Sequence, residues 1–195
     1  MTDFVDLEPA ARRVADLAAA VPDDLLAAPT PCEGMPVSGL LSHLLMLSGA
    51  FAGAARKAPD PGPPPPEPPP LPQDWRRALP AELDALVAAW RSAQALTGTT
   101  AVGGLEVPAP VVAAIALDEL VLHGWDLARA TGQPWQPDPA DCAHTLSFLR
   151  ATVQPEFRGD GLPFGPEVPV GDDAPALDRL VAFTGRHPDW SPAMA

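Results

Sequence analysis

Residues 59–72 read PDPGPPPPEPPPLP, and no regular element can run through them. The ten prolines between Pro59 and Pro72 remove backbone donors and fix φ, which excludes both helix and central strand. The segment is therefore expected to be an exposed loop of polyproline character. A docking peptide for an SH3-like partner is the minor alternative to a plain connector. Every regular element must lie on one side of it or the other.

On the N-terminal side, residues 6–20 predict a helix, with Asp6 as cap, Pro9 in the first turn, and Val14, Leu17 and Val21 at helical spacing. APTPCEG is a loop, and a second helix is expected from Val37 to about Lys57 after Pro36. Beyond the prolines, a third helix is expected from about Pro80 to Leu96, with Leu83, Leu86, Val87 and Trp90 facing inward. Residues 97–110 read as irregular, and a fourth helix spans about 109–131 and stops at Gly132. A fifth is expected at 138–153, capped by Asp138, then a loop, then a short helix at about 175–185. No stretch shows strong strand alternation. The expected fold is all-α: a single domain built on a four-helix bundle, with residues 138–195 as a short helical extension.

Composition narrows the class of function. A chain of 195 residues with 47% hydrophobic residues can bury a sizeable core. Its net charge is −13 and no Lys/Arg cluster occurs, so neither nucleic acid nor an anionic membrane surface is an expected partner. Residues 37–55 are apolar enough to raise the question of a membrane span, but His43 and the Ser, Gly and Ala content favour a buried helix. The opening MTDFVDLEPA is acidic and has no basic segment ahead of an apolar one, which argues against a signal peptide. Cys32 and Cys142 are too few for a disulfide framework, so a cytoplasmic protein is expected.

The informative residues sit in LDELVLHGWDLARATG, residues 117–132. Glu119 and His123 are four apart, hence on one helix face, in a span where Asp118 and Asp126 are the only other charges up to residue 128. A carboxylate inside a bundle costs several kcal/mol unless it is paired or bound to a metal. Glu-x-x-x-His offers one oxygen and one nitrogen, half a site for a divalent ion. His43, which interrupts the apolar GLLSHLLML, can supply a third ligand from another helix. A solvated helix face or a metal-free polar cluster is the competing reading of the same residues. Asp126 either holds an imidazole N–H, or pairs with Arg129 or makes a helix contact. His144 and His187 are weaker candidates. Cys32 is either a catalytic thiol before a helix N-terminus or, more simply, a small residue in a tight loop. No phosphate loop, serine nucleophile elbow or CxxC motif is present.

TPCEGMPVSGLLSHLL, followed much later by LDELVLHGWDLARATGQ, resembles the DinB-like superfamily. More closely, it is similar to the metal-binding N-terminal domain of mycothiol-dependent maleylpyruvate isomerase and its actinobacterial relatives. The tail FGPEVPVGDDAPALDRLVAFTGRHPDW resembles the ending of an uncharacterised actinobacterial branch of that group. The resemblance covers nearly the whole chain except the proline-rich insert. It implies a four-helix bundle holding a divalent ion, zinc by preference, with His43, Glu119 and His123 as ligands. It implies a thiol-dependent S-transferase or isomerase, with mycothiol as cosubstrate and a small electrophile as substrate. The alternative is a non-catalytic bundle that binds metal or a small ligand. A homodimer is compatible with either. Met35 stands where the family usually has Trp, and the chain is too short for the isomerase's separate C-terminal domain, so maleylpyruvate isomerisation itself is not expected.

Overall fold

The structure, a computed structural model, describes residues 5–159 and 162–192; Asp160 and Gly161 of the expected loop before the last helix lie outside them. Four long helices carry the fold: α1 (Glu8–Ala19), α2 (Val37–Ala55), α3 (Trp75–Trp90) and, after a β-hairpin, α4 (Ala109–Thr131). α2 packs on α3 and α4, and α1 packs on the same two helices, which closes the four into a ring. The helices thus form the all-α bundle expected from the sequence. α5 (Pro139–Thr152) and α6 (Ala176–Phe183) pack on each other, and α5 leans on α4.

Leucines at helical spacing fill the interior. Leu40, Leu41 and Leu44 of α2 meet Leu79, Leu83 and Leu86 of α3 and Leu117 and Leu127 of α4 in one buried cluster. α2 is long and apolar enough to cross a membrane, but half of it is buried inside the bundle, as a core helix requires. α4 is buried over most of its length because neighbours flank it on several sides. It stops at Gly132, in the left-handed conformation with φ 68°. Asp138 caps α5 as its spacing suggests, accepting from the Ala140 N–H at 2.8 Å.

Two local readings need correction. α3 runs from Trp75 to Trp90 rather than from Pro80 to Leu96, and Pro80 lies inside it. A proline is most readily placed in a first turn, yet Trp75 and Leu79 are both buried, and burying that pair outweighs the one lost helical bond. Residues 99–108 are not irregular. Thr99–Val102 (β1) pairs antiparallel with Leu105–Pro108 (β2), Val102 facing Leu105 across Gly103-Gly104. Both glycines have positive φ, as a two-residue hairpin turn demands.

The proline-rich insert is largely exposed but not loose. Asp60 accepts from the N–H groups of Gly103 and Gly104 at 3.2 and 2.6 Å, fastening the insert to the hairpin turn. At its other end the Ser42 hydroxyl donates to the Pro69 carbonyl at 2.6 Å, and Leu71 packs against the core. Lys57, just past the end of α2 with φ 58°, donates from its ammonium to the carbonyls of Ala95 and Thr99 at the base of the hairpin.

Gly124 in α4 marks where the chain after that helix folds back. A methyl group there would lie 2.3 and 2.4 Å from the Trp135 ring. Gly124→Ala should therefore destabilise by about 1–3 kcal/mol despite alanine's better helix propensity. In a Trp135→Ala background the same change should cost nothing. Urea denaturation of the four proteins in the cycle checks this, and an equal cost in both backgrounds would contradict the contact.

Candidate metal centre

His43 on α2 and Glu119 and His123 on α4 meet across two adjacent helices of the ring. Glu119 Oε2 lies 2.9 Å from His123 Nε2 and 3.7 Å from His43 Nε2. The two imidazole rings stand edge to face, 4.9 Å between centroids at 89°. One ligand atom from each of the three falls within 4.8 Å of the others. Two ligands each about 2.1 Å from a tetrahedral ion sit about 3.4 Å apart. The separations of 2.9 and 3.7 Å bracket that value, so the donors fit one ion. Two imidazole nitrogens and one carboxylate oxygen suit zinc and leave a coordination position open. The His43 and Glu119 side chains keep 21% and 26% of their surface exposed, so a small molecule can approach from their side.

Asp126 is fully buried and holds the other edge of His123, its Oδ2 2.9 Å from Nδ1. As a carboxylate it accepts the Nδ1 proton and leaves Nε2 directed at Glu119. Its ion pair is with Arg186 rather than Arg129. Arg186 donates through Nε to Oδ1 at 2.8 Å and through Nη2 to Oδ2 at 2.9 Å, a two-pronged contact. Arg129 instead lies over the Trp125 ring and donates to the Pro188 carbonyl.

Arg186 is the residue that sequence reasoning missed. It sits beside His187 in the GRHPDW tail, outside any periodic pattern. Gly185 before it has φ 89°, and a side chain there would collide with the Gly165 backbone at 2.5 Å, so this turn requires glycine. His187 itself is exposed, as is His144 on α5, and neither joins the cluster.

Cys32 does come close. Its sulfur lies within 4.8 Å of ligand atoms on His123 and Asp126. Thr30 shapes its loop, its hydroxyl donating to the Met35 carbonyl at 2.7 Å and accepting from the Cys32 N–H at 3.1 Å. Burial pushes the thiol up from its ordinary pKa, so it is a neutral thiol and not a ready nucleophile. Cys32, Met35 and Trp190 line one cleft of about 680 Å³.

The charges in this cluster are strongly coupled. Burial would lower the pKa of His123, but its hydrogen bonds to Asp126 and Glu119 outweigh that and raise it to about 10. Burial opposes ionisation of Glu119 and Asp126, yet both are held below their usual range. His123 and His43 do this for Glu119, and Arg186 and His123 for Asp126. Without a metal, His123 is thus an imidazolium clasped between two carboxylates.

A helical bundle with such a donor set is, as a class, a candidate divalent-ion protein. The comparison with known families is more specific: residues 7–128 match the mycothiol maleylpyruvate isomerase N-terminal domain, and the chain belongs to that family. Among curated proteins it is 35% identical over 183 residues to the uncharacterised protein Rv0738 of Mycobacterium tuberculosis strain ATCC 25618 / H37Rv, covering 88% of this chain and 91% of that one. The uncharacterised protein MT0763 of strain CDC 1551 / Oshkosh matches with the same identity and coverage. A likeness of 183 residues must extend beyond the 7–128 family match. No solved structure matches the chain.

Asp118 is another buried carboxyl, and its Oδ1 has no hydrogen-bond partner. Burial, reinforced by the neighbouring Glu119 charge, raises its pKa to about 8. The folded protein therefore keeps a proton here that the unfolded chain gives up, and this group's contribution to stability falls as pH rises from about 4 to about 8. Asp118→Asn removes that titration. The stability of the metal-free variant relative to the native metal-free protein should climb by about 1 kcal/mol per pH unit across the window, then level off. Urea unfolding across that range tests it, and a difference independent of pH would mean Asp118 titrates as an ordinary carboxylate.

Proposed function

We propose that this protein holds a divalent ion, zinc by its donor set, between His43, Glu119 and His123, and uses it to present a small thiol to an electrophilic substrate. The observation that carries this reading is the facing of His43 on α2 with Glu119 and His123 on α4, at separations that suit one ion and on a side open to small molecules. Family membership makes mycothiol the thiol of choice. Zinc, when bound, supplies a positive charge that lowers the pKa of a coordinated thiol towards neutrality.

The chain's own residues prepare that chemistry. Asp126 fixes the proton on His123 Nδ1 and so reserves Nε2 for the ion. Glu119 brings one negative charge, which keeps the two-histidine site attractive to a dication. Cys32 is half-buried, its thiol pKa is pushed up by desolvation, and it stands beside His123 and Asp126. The cleft that it lines with Met35 and Trp190 adjoins the centre through Cys32, which lies beside His123 and Asp126. The free thiols of Cys32 and Cys142 suit a reducing, cytoplasmic setting, and the acidic chain suits small-molecule partners better than nucleic acid or membrane.

His123 in the metal-free protein carries a proton on each ring nitrogen, because its pKa stands at about 10. Zinc must displace the Nε2 proton, so binding at neutral pH should release about one proton and apparent affinity should rise about tenfold per pH unit below that pKa. Calorimetry in buffers of different ionisation heat counts the protons. His123→Ala and the His43→Ala/His123→Ala double variant should lose the ion, and stoichiometric zinc in the latter would remove these residues as ligands.

With cobalt in place of zinc, mycothiol should add an intense near-ultraviolet thiolate-to-metal band, and it should compete better than mercaptoethanol because the cleft can hold the rest of the molecule. A cobalt spectrum unmoved by any thiol at millimolar concentration would end the transferase reading and leave a metal-binding bundle without thiol chemistry.

A further inference from the structure

The family match stops at residue 128, yet the hydrogen-bond chain that orients His123 does not. It runs from His123 Nδ1 to Asp126 and on to Arg186, which follows α6 in the extension. We propose that Arg186 is a positioning residue of the metal centre, so that docking of the segment 176–190 on the bundle and occupation of His43, Glu119 and His123 by an ion are one coupled equilibrium.

Asp126 anchors the link. It is fully buried, and Arg186 is the cation that meets both of its oxygens. Without that partner, an uncompensated carboxylate inside the bundle must take up a proton or move towards water. Either response loosens its hold on His123 Nδ1, and the ring is then free to turn Nε2 away from Glu119. A guanidinium fork matches the two oxygens; an ammonium meets them as a point charge and fixes no plane.

The segment that carries Arg186 is itself fastened in place. Arg158 donates to the Gly165 and Phe183 carbonyls at 2.9 and 2.8 Å, and Val168 N–H donates to the Ala182 carbonyl at 2.9 Å. Arg129, on the same helix as Glu119 and His123, donates to the Pro188 carbonyl. Trp190 reaches the cleft beside Cys32. The segment therefore touches the centre through Asp126, the outer turn of α4 through Arg129, and the cleft wall through Trp190. Because coupling between two equilibria is reciprocal, an ion that holds His123 also holds the tail, by the same free energy.

The test uses the full chain. In the native protein, hydrogen exchange of residues 176–190 should be slower with zinc bound than after removal of the ion by a chelator. Arg186→Met should weaken zinc binding about 10- to 100-fold, the range for removing an outer partner of a ligand, and should shift the visible absorption of the cobalt form. Arg186→Lys should recover only part of either. In an Asp126→Asn background, Arg186→Met should cost much less, since the link is already cut. The exchange measurement needs no variant, so it decides the matter even where a substitution prevents folding.

The inference rests on the proposed function only in requiring an ion at these residues. A native protein that binds no ion overturns both. Normal ion binding with tail exchange indifferent to the metal, or an Arg186→Met protein with native affinity and spectrum, overturns this inference alone.

Discussion

A carboxylate with no exposure to water governs the centre of this molecule. Asp126 lies inside the bundle, and its ionised form is tolerable only because a guanidinium and an imidazole meet it. That requirement ties the fourth helix to a tail far along the chain and fixes which edge of His123 is free. The geometry of the candidate ligands is thus a consequence of how one buried charge is neutralised. The ring of helices plays the complementary part. It makes α2 and α4 neighbours, which is what sets His43 opposite Glu119.

Much of this was legible in the sequence because helical periodicity is a strong local signal. The bounds of α4, the cap at Asp138 and the stop at Gly132 all follow from residue types at fixed offsets. The spacing of Glu119 and His123, with His43 breaking an apolar run, pointed to a cluster that the structure brings together. For Asp126 the sequence offers an imidazole N–H, an ion pair with Arg129 or a helix contact; the structure puts its Oδ2 against His123 Nδ1 and gives it another cation. The partner that the structure supplies, Arg186, arrives through tertiary packing after a turn at Gly185. No periodicity in the tail encodes that contact.

The other misreadings have equally local causes. Pro80 looked like a helix start because proline suits a first turn, and the burial of Trp75 and Leu79 that extends α3 upstream is a tertiary effect. Gly103-Gly104 between two short β-prone runs is a turn signal, but the runs of four residues are too short to stand out as strands. Such short strands carry little alternation. They persist here because Thr100 donates to the last turn of α2 and Asp60 grips the hairpin turn. The proline-rich insert reads as a spacer by composition, but its two ends are stitched to the hairpin and to α2.

The order in which the centre's parts occur along the chain bears on how the protein is made. His43 emerges first, the Glu119–His123–Asp126 group much later, and Arg186 later still. A domain whose key contacts are so remote in sequence cannot finish assembling while its second half is still being synthesised. During translation the half-built bundle holds Asp126 without its arginine. The hydrogen-bond chain from His123 through Asp126 to Arg186 can close only after residue 186 has left the ribosome.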